Sequence, residues 1–414
     1  MLNFTTLPPL SLYIHYPWCV QKCPYCDFNS HALKKASLQS EYVDEKQRDS
    51  LYIKALIQDL ESELPTVWGR TIQSIFIGGG TPSLITPEAL QSLLSQIRAR
   101  IPVSPLAEVT MEANPGAVDQ YKFAEFHSAG INRLSIGVQT FNDQLLTKIG
   151  RIHNAQQARQ AIECAQNVGF DNINLDLMYA LPEQSIKSAL SDVQEAIHFN
   201  PTHISHYQLT IEANTTFAQQ PPKLPDDDHS YAMQLQAQAL LARAGFEHYE
   251  ISAYARSGKQ CQHNLNYWQF GDYLGIGAGA HGKISNAAKQ NISRRWKNKH
   301  PQHYIDAQQS NQKAKTAAKS NLIIHNSSML GGQHYLSEAD IGFEFMLNST
   351  RLVAGFEQQL FAAHTGLSIK QIEAGLQKAL QLGLIERSGK QAKDFIRPTT
   401  RGLQYLNELQ ELFL

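Results

Sequence analysis

Three of the five cysteines, Cys19, Cys23 and Cys26, form a CxxxCxxC run within residues 11–31 (SLYIHYPWCVQKCPYCDFNSH), just after an apolar, strand-like stretch. Thiolates this close together select zinc or iron–sulfur clusters. A structural zinc would need a fourth nitrogen or sulfur ligand to close its tetrahedron, and a redox dithiol is a third use of such spacing. Three thiolates suit a [4Fe–4S] cube with one iron left without a protein ligand, unlike electron-transfer ferredoxins with four cysteines per cluster. An open iron is a site for chemistry. Cys164 and Cys261 stand alone, with no CxxC partner.

A reactive loop needs a scaffold. Strand-like apolar runs fall at residues 12–15, 74–77, 108–112, 133–138, 172–178 and 203–209, with helix-period segments between them at 52–64, 87–98, 155–168 and 186–198. Six βα units in succession predict a parallel α/β sheet, arranged as a curved, incomplete barrel or as a doubly wound sheet. Sites in such folds gather at the C-terminal ends of the strands, and those ends are distinctive here. The second run is followed by Gly78-Gly79-Gly80-Thr81-Pro82, a turn signal whose glycines would also let backbone N–H and C=O groups approach a ligand. Glu112 closes the third run. Gln139 ends the fourth, which leads into Arg151 and His153. Asp176 lies inside the apolar fifth run, where a buried carboxylate needs a ligand or an ion-pair partner.

With these motifs in this order, the chain resembles the radical S-adenosylmethionine (SAM) superfamily, whose CxxxCxxC follows the first barrel strand and carries an aromatic where Tyr25 stands. The resemblance implies a partial (β/α)6 barrel, a [4Fe–4S] cluster on Cys19, Cys23 and Cys26, and SAM bound to the open iron through its amino and carboxylate groups. It implies a SAM site made of Tyr13, Tyr25, Gly79, Gly80, Thr81, Glu112, Gln139, Arg151 and Asp176. Within the superfamily, HYPWCVQKCPYCDFNSH, GGGTPS, GVQTFND, NLDLMYALPEQ and HNLNYWQFGDYLGIGAGAHG resemble the heme chaperones related to oxygen-independent coproporphyrinogen III dehydrogenase. That resemblance implies heme binding and delivery to client hemoproteins, membrane-associated respiratory enzymes among them, with a reductant for the cluster. The dehydrogenase itself, an enzyme of heme biosynthesis, is the alternative. It typically has a further cysteine two residues after the third, where this chain has Phe28. Heme iron usually takes an imidazole or thiolate, so Cys261, His263 and His281 are the candidate axial ligands.

Length and composition bound the rest. A chain of 414 residues accommodates two or three domains. With 36 basic against 37 acidic residues there is no electrostatic case for nucleic acid or an anionic membrane. No apolar run reaches the ~20 residues of a spanning helix, the N-terminus lacks signal-peptide features, and the cysteine usage fits a reducing cytoplasm. The expected division is a core at 1–240, a connecting region at 241–335 and a C-terminal winged-helix-like α+β domain at 336–414. The aspartates of 221–228 are expected to cap a helix over 231–243, 250–255 to be one strand, and the glycine-rich 275–282 to let backbone approach a ligand. Residues 307–332 read as a polar loop or insertion. Winged-helix modules often bind DNA, which makes a DNA-binding iron–sulfur regulator a further alternative. The modest basic content of this module argues against it.

Overall fold

The computed structural model describes residues 2–33, 45–117, 119–307, 329–388 and 395–414. Six parallel strands carry the site: β1 (Leu10–Tyr16), then, after the two-residue β2 (Trp18–Cys19) and β3 (His31–Ala32), β4 (Ile72–Gly79), β5 (Val103–Ala113), β6 (Arg133–Gln139), β7 (Ile173–Tyr179) and β8 (His203–Gln208). Each pairs in parallel with its successor in the order β1-β4-β5-β6-β7-β8. Leu12 and Ile14 of β1, Ile75 and Ile77 of β4, Leu134 and Ile136 of β6 and Leu175 and Leu177 of β7 alternate into the buried core. In β7, INLDLMY, only Asp176 is not fully buried.

Local chemistry starts and stops the crossover helices. The helix Ala155–Val168 begins in a capping box between Asn154 and Gln157 and ends at Gly169, whose φ of 102° suits a left-handed C-cap. Ser185 caps Ile186–His198. Asp226 accepts from the His229 N–H and caps Asp227–Arg243, which starts earlier than the expected 231 and takes Asp227 and Asp228 into its first turn.

The sheet does not stop at six strands. After β9 (Glu247–Glu250) and β10 (Ala253–Ala255), β11 (Asp272–Ile276) pairs in parallel with β1. β12 (His281–Asn286), β13 (Asn291–Lys297) and β14 (Leu330–Tyr335) extend that side antiparallel, while β10 and β9 extend the other. Among the described residues the result is one sheet of twelve strands. The single strand expected over 250–255 is instead two, because the chain turns at Ile251 and Ser252 so that β10 can pair with both β9 and β8. Of the polar stretch 307–332, the end belongs to β14, and residues 308–328 lie outside the described residues.

The C-terminal segment packs the helices Glu338–Ser349, Gln358–Thr365 and Glu373–Gln381 on a small sheet. Its strands are β15 (Phe356–Glu357), β16 (Ile385–Ser388) and β17 (Phe395–Pro398), in the order β15-β17-β16. The turn between β16 and β17 lies outside the described residues. Phe345, Phe361, Leu376 and Leu409 centre this core, and Leu2 and Phe4 from the chain start pack into it. Among the described residues, no helix is long and apolar enough to cross a membrane.

Candidate functional site

A cavity of about 430 Å³ opens at the C-terminal ends of the parallel strands and runs down to Arg133 at the start of β6. Cys19, Cys23, Tyr25, Cys26, Gly79, Gly80, Thr81, Glu112, Gln139, Arg151 and Asp176 all line it. Thus eight of the nine expected SAM contacts share one wall system with the three thiols. The exception is Tyr13. Its half-buried side chain on β1 has the hydroxyl 2.9 Å from His15 Nδ1 and the ring stacked on Phe76, which lines the cavity where Tyr13 does not.

The cysteine loop is held by backbone pairing. β2 and β3 pair in parallel, Trp18 with His31 and Cys19 with Ala32, so the loop between them closes on itself. The Cys26 N–H donates to the Cys23 carbonyl at 3.1 Å. All three cysteines are free thiols. Burial raises the pKa values of Cys19 and Cys26, opposed by hydrogen bonding to Ser30, and a bound metal would reverse this by ionising its thiol ligands. Among the described residues no three His, Cys, Asp or Glu groups converge on a single-ion site. The thiols border a shared volume, and they are the donor set that iron–sulfur chemistry selects.

Gly80 is positioned by its lack of a side chain, since a Cβ there would sit 2.5 Å from the Trp18 carbonyl oxygen. The N–H groups of GGGTP are spent internally, which corrects the expectation that they face a ligand. Gly79 N–H donates to Glu112 Oε2 at 3.1 Å, Gly80 N–H to the Tyr16 carbonyl at 2.8 Å and Thr81 N–H to the Trp18 carbonyl at 2.7 Å. A ligand amino group entering here would be met by acceptors, with the Glu112 carboxylate foremost.

Glu112 and Asp176 form the acidic part of the wall. Burial, then the neighbouring Asp176, pushes the Glu112 carboxyl up to about 8. Burial also raises Asp176, although Asn174 Nδ2 at 2.8 Å and Ser135 Oγ at 3.0 Å donate to it. Gln139 has a φ of 69°, left-handed for a non-glycine residue, at a register shift between β6 and β7. Such bulges re-aim side chains near sites, and Tyr207 O–H fixes this one by donating to Gln139 Oε1 at 2.8 Å. Arg151 donates to the Gly137 carbonyl at 2.8 Å and lies 3.8 Å from Cys23 Sγ, linking β6 to the cysteine loop.

Several lining residues escaped the sequence reading: Ser135, Asn174, Ser205, Tyr207 and Arg133. Their signal was present as polar or small residues at every second position of buried strands, Ser135/Gly137/Gln139 in β6, Asn174/Asp176 in β7 and Ser205/Tyr207 in β8. That period puts them on one face. Arg133 is 2% exposed, its guanidinium lies 3.8 Å from Glu108, and its Nε has no hydrogen-bond partner among the described residues.

The three axial candidates do not come together. His263 is buried with both ring nitrogens engaged, Nδ1 3.0 Å from Ser74 Oγ and Nε2 3.1 Å from Tyr267 O–H, and burial lowers its pKa to about 3. Cys261 is fully buried, its Sγ donating to Glu108 Oε1 at 3.4 Å, and burial pushes the thiol up to about 12. His281 is exposed at the start of β12. The glycine-rich run beside it makes room for protein: a Cβ on Gly275 would lie 1.9 Å from the His281 carbonyl oxygen, and one on Gly277 2.4 Å from that of His15.

Comparison with known proteins gives a consistent picture. The radical SAM superfamily matches residues 13–196, and the HemN C-terminal domain matches residues 336–405. The chain is 45% identical over 408 residues to the heme chaperone HemW of Escherichia coli K12, covering 99% of both chains. It is likewise 45% identical over 412 residues to that of Haemophilus influenzae Rd, covering 99% of this chain and 98% of the other. Among solved structures it resembles the coproporphyrinogen III oxidase HemN of E. coli, a radical SAM enzyme, with a TM-score of 0.76 at 21% identity over 98% of this chain and 90% of that one. At that identity the likeness speaks for the fold alone.

Proposed function

Because this chain belongs to the HemW family of heme chaperones, within the radical SAM superfamily, we propose that it binds a [4Fe–4S] cluster, SAM and heme in the cytoplasm and delivers the heme to client hemoproteins. The observation that carries the reading is the cavity in which three free thiols meet Glu112, Gln139, Arg151 and Asp176 at the ends of parallel strands. Cys19, Cys23 and Cys26 would hold the cluster, which supplies an iron open to SAM and an electron when reduced.

The protein's own groups then divide the work of holding SAM. Glu112 offers an acceptor to an amino group beside the cysteine loop. Arg151 offers a cation to a carboxylate near Cys23, and Asp176 accepts from a ribose hydroxyl while Asn174 and Ser135 hold it in place. Tyr25 walls the mouth, packed near Phe217 with ring centroids 6.4 Å apart. Phe28 stands at the position where a fourth cysteine is typical of the dehydrogenase, and this favours transport over porphyrinogen chemistry.

The test is anaerobic reconstitution with iron and sulfide, followed by a heme titration with and without SAM. The reading requires a cluster absorption band and a saturable Soret shift at one heme per chain. A cluster without heme binding, together with decarboxylation of coproporphyrinogen III, would replace it with the enzyme.

A further inference from the structure

The heme reading leaves a question of coordination. His263 and Cys261 are both closed off inside the barrel by protein partners. An iron arriving from solvent needs a nitrogen lone pair at the surface.

The outer flank of the cysteine loop presents imidazoles together. His31 ends that loop, with its ring centroid 5.6 Å from that of His300, which lies 4.6 Å from that of His303. His300 and His303 are exposed. The grouping is built by Asn29. Its Nδ2 donates to the Ala278 carbonyl at 2.9 Å and to the Lys299 carbonyl at 2.8 Å, and its own carbonyl accepts from His15 Nε2 at 2.8 Å. Asn29 Oδ1 lies 3.2 Å from His31 Nε2, which orients that ring. Asn29 reaches this position because residue 279 is glycine, since a Cβ there would sit 2.3 Å from Nδ2. The glycine-rich run therefore fixes residue 299, and with it His300, against the cysteine loop.

The surroundings suit an iron porphyrin better than a bare cation. Among the described residues no three donors converge as a chelated ion would require, whereas an iron already bound by four porphyrin nitrogens needs one imidazole. The same loop exposes Phe28 at 61% and Val20 at 46%, apolar area of the kind a macrocycle covers. Lys22 and Lys299, both exposed, carry charges that carboxylate side chains of a porphyrin would meet.

Resting on the heme-carrier reading, we propose that His300 and His303, held beside His31 on the outer flank of the cysteine loop, supply the axial imidazole to the carried heme. The test is hemin titration of the full-length protein, comparing wild type, His300→Ala, His303→Ala and the double variant, with His263→Ala alongside. Both changed side chains are exposed, and unchanged thermal unfolding verifies the fold. The double variant should bind hemin at least tenfold more weakly and lose the imidazole-ligated Soret position, and the single variants identify the ligand. His263→Ala, if folded, should keep that Soret position. Metal-free protoporphyrin, which lacks the axial bond, should bind wild type and double variant equally. Wild-type hemin affinity and spectrum in the double variant would overturn the assignment, as would an equal loss for hemin and metal-free porphyrin. Wild type that binds no hemin would overturn the carrier reading itself.

Discussion

Glu112→Gln is the most informative single change in the cavity. Its carboxyl sits on the cavity wall beside Asp176 and is pushed up to about 8 by burial and that neighbour. The unfolded chain ionises near 4.3. A folded-state pKa above the unfolded one means that the native protein binds the extra proton, so its contribution to stability is present in full below the unfolded value. It is lost as pH rises toward 8. Each pH unit in that window removes about 1.4 kcal/mol, or ~2.7 kcal/mol between pH 5 and 7. Glutamine keeps an acceptor for the Gly79 N–H and cannot titrate. Urea denaturation at pH 5, 6, 7 and 8 should therefore show the variant gaining on wild type by about 1.4 kcal/mol per unit up to pH 7 and by less over the last unit, while SAM affinity at pH 8 falls at least tenfold because the ionised acceptor is gone. Parallel stability curves for the two proteins across this range would refute the reasoning.

Serine at Cys19, Cys23 or Cys26 should each abolish the visible absorption of the reconstituted protein, whereas serine at Cys164 should leave it intact; iron and sulfide analysis checks both. Gly80→Ala places a Cβ 2.5 Å from the Trp18 carbonyl oxygen, so the cysteine loop must shift and iron loading per chain should drop severalfold, with global unfolding changed by less. Asp272 accepts from Arg70 at 2.7 Å, Lys283 at 2.9 Å and Ser285 Oγ at 2.9 Å, and Lys283 is only 1% exposed. Burial pushes the Asp272 carboxyl up, but Lys283 and Arg70 outweigh it and hold the pKa low. Asp272→Asn strands the buried lysine and should cost about 3–5 kcal/mol at pH 7 in a denaturant titration. That deficit should shrink in acid as the wild-type carboxyl protonates below the ordinary carboxylate range.

Much of this architecture can be read from the chain. The helices 155–168 and 186–198 fall where the periodicity places them because Asn154, Gly169 and Ser185 supply local start and stop chemistry. Most of the six site-bearing strands stand out through buried apolar residues at alternate positions, such as Leu134 and Ile136 in β6 and Leu175 and Leu177 in β7. β11 has no such signal. Its sequence, DYLGI, leads straight into more glycine, and those glycines exist because β12 and the end of β1 lie where side chains would be. That requirement is tertiary, and no periodicity expresses it. The same holds for the chain start, whose Leu2 and Phe4 join the core of the C-terminal segment some 340 residues on.

The site residues divide along the same line. Those fixed by position at a strand end were legible, because a polar residue closing an apolar run has few structural uses. Those that needed knowledge of free valence were not. HNLNYW offers a histidine beside two aromatics, an iron-ligand candidate by composition, yet Ser74 and Tyr267 take both ring nitrogens. The cavity itself depends on smallness as much as on chemistry. A closed barrel of parallel strands fills its interior with bulky side chains. Here Ser135, Gly137 and Ser205 occupy interior positions, leaving volume between the carboxylates of Glu112 and Asp176 and the buried cation of Arg133. Residues too small to fill a core and too polar to form one, on alternating positions of adjacent strands, are the sequence imprint of a cavity meant for a polar ligand.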